Sequence, residues 1–207
     1  MKTSRKVPSI LIAISWFLAF AFTSAQAAPL ATEQIRTTVD QALLVLRDPN
    51  LRTTGKLKER REQLRQILFA RFDFNEMAKR ALGTEWRRRT PAEQEEFTRL
   101  FTELLERSYT ETIESYSNEK IVYLNEKQDR GFANVSSKIL TSKGQEYSIE
   151  YKAQLVENDW KVYDVVVENI SMVNNFRSQF SRVLNTSSYE ELLRRLKAKA
   201  ELSAEKK

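Results

Sequence analysis

Residues 162–180, VYDVVVENISMVNNFRSQF, change their hydrophobic period halfway along. Val165, Val166 and Val167 stand in a row, as in a buried strand. From Met172 onward the apolar residues move to helical spacing, with Phe176 and Phe180 four apart. A strand that runs almost directly into an apolar helix predicts an α+β fold with helices packed on a sheet. Both halves carry more apolar surface than a small domain needs on one side, so the fold must supply something for that surface to cover.

The sheet extends upstream. Residues 145–156 alternate, with Tyr147, Ile149, Tyr151, Ala153 and Leu155 against Glu146, Ser148, Glu150, Lys152 and Gln154. Residues 132–141 place Ala133, Val135 and Ile139 on one face, and residues 121–124 form a short strand. The loop Ser142-Lys143-Gly144 sets Ile139 opposite Tyr147 and Val135 opposite Tyr151, with Gly144 as the left-handed residue such loops need. The final strand, residues 160–168, has two registers. A three-residue loop, Glu157-Asn158-Asp159, puts Lys152 opposite Asp164 and turns Tyr163, Val165 and Val167 to the apolar face. A two-residue loop points Asp164 inward beside Ala153, which is costly for an unpaired carboxylate; the first register is therefore expected. The result is a small, about four-stranded antiparallel sheet with one apolar face.

Helices fill the rest. Ile35, Val39, Ala42, Leu43 and Leu46 recur at helical spacing until Asp48-Pro49. A second helix spans 55–72 and a third 75–82, closed by Gly83. Thr90, Pro91 and Glu93 spell a capping box with proline at the first helical position. Phe97, Leu100, Phe101, Leu104, Leu105, Tyr109, Ile113 and Tyr116 then form one broad stripe through residue 116. Two more helices are expected over 172–184 and 188–199, with Ser171 and Ser187 as N-caps.

The 207-residue chain contains no cysteine and no histidine. That excludes a thiol nucleophile, a Ser-His-Asp set and a His/Cys zinc site. Residues 1–6 are basic, 7–22 are apolar, and Ala25-Gln26-Ala27 is a small-residue cleavage site, so residues 1–27 read as a signal peptide. Residues 28–207 then form a single exported domain without disulfides. Three of the 34 basic residues leave with the signal, so 31 stand against 28 acidic ones. The excess sits in the C-terminal tail with Arg194, Arg195, Lys197, Lys199, Lys206 and Lys207. The near-neutral body argues against nucleic acid as a partner.

Two long segments, FDFNEMAKRALGTEWRRRTPAEQEEFTRLFTELLERSY (72–109) and YSIEYKAQLVENDWKVYDVVVENISMVNNFRSQF (147–180), resemble the MlaC, or toluene-tolerance, family of periplasmic phospholipid-binding proteins. The order and spacing of Phe72-Asp73-Phe74, Ala81-Leu82-Gly83, Trp86-Arg87, Trp160-Lys161-Val162-Tyr163-Asp164-Val165 and Ile170-Ser171-Met172-Val173 carry the likeness. Asn169 stands where the family commonly has Gly; Asn best tolerates a left-handed backbone among the other residues. The resemblance implies helices on an antiparallel sheet around a deep apolar cavity, with phospholipid as cargo and no cofactor. It also implies a periplasmic monomer that shuttles lipid between an outer-membrane lipoprotein–porin complex and an inner-membrane ABC transporter with an MCE-domain subunit.

The expected lipid-lining residues are Phe101, Leu104, Leu105, Tyr109, Ile139, Ile149, Tyr151, Val165, Val167, Val173, Phe176 and Phe180, with Leu105 and Val167 facing each other across the acyl chains. Each can equally be ordinary core. Phe72, Phe74, Met77 and Trp86 read as structural. Arg177 either faces the mouth near a phosphate or pairs with an acid such as Asp164 or Glu168. Arg87, Arg88 and Arg89 read as solvated surface, with an acidic partner or anionic head groups as the functional alternative. Three rival functions remain: a carrier of another lipid such as a hopanoid, an enzyme using an inward, unpaired Asp164 as a raised-pKa acid or base, and an interaction module whose apolar faces are filled by side chains.

Overall fold

The structure is a computed structural model that describes residues 30–116 and 119–202. Residues 1–27, read from the sequence as a signal peptide, and the basic residues Lys206 and Lys207 lie outside the described residues. Helices α1 (Ala31–Arg47), α2 (Leu57–Arg71), α3 (Phe74–Leu82) and α4 (Pro91–Glu114) come first. Strands β1 (Lys120–Asp129), β2 (Phe132–Leu140), β3 (Glu146–Val156), β4 (Asp159–Val167) and β5 (Ile170–Ser171) form one antiparallel sheet in sequence order. Helices α5 (Met172–Thr186) and α6 (Tyr189–Leu202) close the chain. The sheet has five strands rather than about four. Glu168 and Asn169, at φ +48° and +63°, make a left-handed turn that folds Ile170 back onto Val167. Asn169 thus supplies the backbone conformation expected of it.

The β2–β3 register is as the three-residue loop predicts, with Ile139 opposite Tyr147, Val135 opposite Tyr151, and Gly144 at φ +76°. The β3–β4 hairpin combines features of both expected registers. Val156 pairs with Asp159, so the loop is the two-residue Glu157-Asn158. One extra residue in β4 then shifts the pairing between Ala153 and Lys152, and Lys152 still meets Asp164. Val162, Val165 and Val167 share the apolar face, while Tyr163 is the bulge residue and leaves it. Tyr163 packs among the helices instead, with the Arg80 guanidinium 4.0 Å from its ring centre.

The helix ends follow their capping chemistry. Thr90 and Glu93 exchange the two hydrogen bonds of a capping box at α4. Asp73 caps α3 by accepting from Glu76 N, accepts from the Gln154 amide through its other oxygen, and donates its own N–H to the Val162 carbonyl. The Phe72-Asp73-Phe74 sequence therefore ties the start of α3 to β3 and β4. Helix α6 is capped by Ser188, whose hydroxyl accepts from Glu191 N, rather than by Ser187. Gly83 closes α3 at φ +67°, and an added Cβ there would sit 3.2 Å from Arg177 Nε.

The N-cap of α1 is Leu30, whose side chain offers no acceptor. Glu126 of β1 takes that role: its carboxylate accepts from Ala31 N at 3.1 Å and Thr32 N at 2.8 Å. Arg71, at the end of α2, donates to Thr38, Gln34, Asp159 and the Trp160 carbonyl, which binds α1, α2 and the β3–β4 hairpin together. Partial burial pushes the Glu126 carboxyl up, but hydrogen bonds from Gln128, Thr32 and Ala31 outweigh it and hold the carboxyl below its ordinary 4.5. A carboxyl depressed on folding adds stability that is complete above its unfolded value and is lost as pH falls through the folded one. The melting-temperature gap between the wild type and Glu126→Gln should therefore be constant at neutral pH and shrink progressively below pH 4.5. A gap that stays constant through that acid range would show that the charge of Glu126 is not what holds α1.

Candidate functional site

The pairing register sorts the inner face of the sheet into layers. Ile121, Ile139 and Tyr147 form the first. Tyr123, Ser137, Ile149, Val167 and Ile170 form the second. Glu126, Val135, Tyr151 and Val165 follow, then Gln128, Ala133, Ala153 and Val162, then Leu155 and Trp160. The last of these layers are covered: Ala31 and Ile35 of α1 pack with Ala133, Val135, Ala153, Trp160, Val162 and Val165. Cover fails toward the other end, where Tyr147 and Val167 are 40% exposed and Ile170 is 65% exposed.

The apolar residues divide into three clusters rather than one core. Helices α3 to α6 build the first around an aromatic knot in which Phe97 stacks on Phe101 and the other pairs among Phe97, Phe101, Phe176 and Phe180 meet edge to face or at a tilt. The second is the covered part of the inner sheet face with α1. The third joins Ala42, Leu46 and Leu64 to Ile113 and Tyr116, so the far end of the α4 stripe leaves its own bundle for α1 and α2. Phe72 and Met172 touch both the first and the second cluster.

The twelve expected lining residues fall on both sides of this division. Phe101, Leu104, Leu105, Val173, Phe176 and Phe180 are buried in the helical cluster, with Tyr109 half-buried at its margin. Val165, Ile149 and Tyr151 belong to the sheet cluster. Ile139 and Val167 lie in the first two layers and outside all three clusters. Leu105 and Val167 thus sit in different settings, one packed among helices and one on the open end of the sheet. Burial raises the phenol pKa of both Tyr109 and Tyr151. Phe74, Met77 and Trp86 take structural places in or against the helical cluster.

Two residues of the inner face went unread in the sequence. Ser137 is 2% exposed and has only the Tyr151 hydroxyl near its own, and the buried Tyr123 hydroxyl has no hydrogen-bond partner among the described residues. The alternation of 132–141, which points Ser137 inward between Val135 and Ile139, was the signal for it.

Two surface clefts stand out among the described residues, and none of the twelve lines either. One, of about 470 Å³, lies between the Gly83 turn and the α5–α6 junction and includes Arg88, Arg89, Arg177, Tyr189 and Glu190. The other, of about 600 Å³, lies between the start of α1 and β1. Arg177 packs over Gly83, and among the described residues it pairs with neither Asp164 nor Glu168. Arg89 is not a solvated charge either: it pairs with Glu85 and Glu93 and lies over the Tyr189 ring. No group of acidic side chains among the described residues could hold a metal ion, and no described helix is long and apolar enough to cross a membrane.

Asp164 is 4% exposed but faces away from the apolar layers. One oxygen accepts from the Ser171 hydroxyl at 2.6 Å and lies 3.8 Å from Lys152 Nζ; the other accepts from Val173 N at 3.1 Å. Ser171 in turn accepts from Asn174 N. Both carboxylate oxygens are committed to the strand-to-helix junction, which is a different arrangement from the unpaired inward acid that catalysis would need.

Among the described residues, the six α-helices and five-stranded antiparallel sheet form the architecture of a solved phospholipid-binding protein. A solved structure of the phospholipid-binding protein from Ralstonia solanacearum, in complex with a phospholipid, matches with a TM-score of 0.75 at 25% identity, over 85% of this chain and 99% of that one. The MlaC protein family matches residues 36–198, and the chain belongs to that family. The intermembrane phospholipid transport system binding protein MlaC of Haemophilus influenzae is 28% identical over 126 residues, 58% of this chain. The toluene tolerance protein ttg2D of Pseudomonas putida is 28% identical over 140 residues, 61% of this chain. These alignments span 59% and 65% of the two relatives' lengths.

Asp164→Ala should cost about 2–4 kcal/mol, because it strands the Val173 N–H and the Lys152 charge. Ser171→Ala, which removes one of the carboxylate's donors and the α5 cap, should cost about 1–2 kcal/mol. Urea denaturation of both variants measures this order; equal, near-zero costs would show that the junction is held by something else.

Proposed function

We propose that this protein is a periplasmic carrier that takes up the acyl chains of phospholipid and passes the lipid between membrane complexes. The observation that carries the proposal is the inner sheet face: β2 to β5 line it with apolar side chains apart from Ser137, and its open end exposes Val167, Tyr147 and Ile170. A surface of that kind is expensive in water unless it is covered in use. A diacyl lipid presents a matching problem. Its roughly 30 methylenes, at about 0.8 kcal/mol each, resist exposure by more than about 20 kcal/mol. Burial against unspecialised apolar side chains solves both and still allows release, because little polar binding has to be undone. Membership of the MlaC family, and the phospholipid held by the Ralstonia solanacearum protein, support this cargo.

In this proposal the acyl chains lie on the sheet members of the expected lining, Ile139, Ile149, Tyr151, Val165 and Val167, while the seven expected residues of the helical cluster keep their own packing. Residues 1–27 direct export and are removed. The partners are an inner-membrane ABC transporter with an MCE-domain subunit and an outer-membrane lipoprotein–porin complex, met in turn by a monomer. No catalytic step is assigned to any residue.

Native mass spectrometry of the purified full-length product, followed by lipid extraction, tests the cargo. Diacyl phospholipid should be released; a hopanoid-like mass, or no lipid even after incubation with phospholipid vesicles, would contradict the proposal. Val167→Trp adds bulk to a half-exposed position and should fold with an unchanged melting temperature but hold at most half the lipid. Leu104→Trp crowds a packed cluster and should cost about 1–3 kcal/mol of stability. Full lipid retention in Val167→Trp would remove the open end of the sheet from the site.

A further inference from the structure

Three hydroxyl side chains share the inner face of the sheet, just inside its open end. Tyr123 and Ser137 are directly paired across β1 and β2, with Cβ atoms about 5 Å apart. Tyr151 is two residues along β3 from Ile149, the β3 partner of Ser137. Val135, Ile149 and Val165 pack around this group, while Arg36, Asp40 and Glu33 of α1 lie near the Tyr123 side. A buried hydroxyl in such a place normally has a partner, because leaving it unpaired forfeits its hydration with nothing in return. Among the described residues the Tyr123 hydroxyl has none, and Ser137 Oγ has only the Tyr151 hydroxyl near it, outside the geometry of an ordinary hydrogen bond. Burial raises the Tyr123 phenol well above its ordinary pKa, so the group keeps its proton and remains a donor. Arg36 covers the other side of this corner, with its guanidinium 4.9 Å from the Tyr123 ring centre.

The position of these donors decides what they can meet. They lie one layer inside Ile121, Ile139 and Tyr147, which is about 7 Å along the strands. A lipid seated tails-first on this face, with its head group outside, brings its first polar atoms below the head to the same depth. Those atoms are the two ester carbonyl oxygens of the glycerol backbone, which are neutral acceptors without a donor of their own.

We propose that Tyr123 and Ser137 form a polar subsite that donates hydrogen bonds to the ester carbonyls of the bound lipid and sets how deep its acyl chains enter. The subsite rests on the carrier function proposed above. Its consequence is a linkage preference: lipids with ester-linked chains should be selected over ether-linked lipids of the same head group and chain length, which lack the carbonyl acceptor. This preference is independent of head group.

Phosphatidylethanolamine with two ester-linked chains and its dialkyl ether analogue, presented together to lipid-free protein, are the probes. Native mass spectrometry reads the ratio bound. Wild type should favour the diester by about fivefold. Tyr123→Phe and Ser137→Ala, each of which removes only a hydroxyl, should bind both lipids with a ratio near one. Lipid-free Tyr123→Phe should melt no lower than wild type, because the hydroxyl removed has no partner among the described residues; a lower melting temperature would show that it does, and would overturn the subsite. Equal binding of both lipids by wild type overturns the subsite and leaves the carrier intact. An unchanged diester preference in both variants places the donor elsewhere, assigns the hydroxyls to buried water and overturns the subsite. Binding of neither lipid by wild type overturns the carrier itself.

Discussion

Asp164 reaches Ser171 and Val173 only because β4 carries one more residue than β3 between the Ala153 and Lys152 pairings. Side chains alternate strictly along a strand, so a two-residue Glu157-Asn158 turn without that extra residue would reverse everything beyond Val162. Val165 and Val167 would face outward and Asp164 would enter the apolar layers beside Tyr151, an arrangement penalised at both faces. The bulge at Tyr163 prevents this. It keeps Val162, Val165 and Val167 inside, and it turns Asp164 toward Lys152 and the first turn of α5. Tyr163 itself is released to pack under Arg80 and among the helices. One irregularity therefore fixes the sheet face, launches α5 and joins the helical layer to the strands.

The apolar surface is then shared unequally. Helices α3 to α6 satisfy one another through Phe97, Phe101, Phe176, Phe180 and the leucines of α6. The sheet depends on α1 for cover, and α1 is held by Glu126 at its start and by Arg71 through Thr38 and Gln34. That cover stops short of Val167 and Tyr147. Phe72 and Met172 are the apolar side chains common to the helical and sheet clusters. In a carrier this division has a use: the helical cluster keeps its own packing while the open end of the sheet exchanges its cover. It also explains how affinity and release coexist, since the cargo adds burial where the protein's own core is incomplete.

Much of this was legible in the chain. Thr90-Pro91 with Glu93 marked the start of α4, the alternation through residues 145–156 marked β3, and Gly144 set the β2–β3 register. Each is a local rule whose physical cause lies within a few residues. The illegible features depend on distant partners. Nothing adjacent to Tyr163 announces a bulge, because its stability comes from Arg80, Lys152 and the α5 terminus. The same holds for Arg177, which packs over Gly83 rather than against an acid, and for Ser188, chosen over its neighbour Ser187 as the cap. The two-residue strand β5 escaped notice because it exists only through its pairing with β4. For the candidate site, helical and alternating periods identified apolar side chains correctly but could not divide them. Phe101 and Phe176 carry the same pattern as Ile149 and Val167, and only the tertiary arrangement puts the first pair in a packed cluster and leaves Val167 on the open end.

The central claim is that acyl chains lie against the inner face of the sheet at its open end. A crystal structure of the protein loaded with a phospholipid whose acyl chains carry bromine tests this most directly, since the anomalous signal locates the chains without reference to the protein. The account predicts bromine density beside Ile149, Tyr151 and Val167. Density in the Arg177 cleft, or on the opposite face beside Lys152 and Asp164, would contradict it.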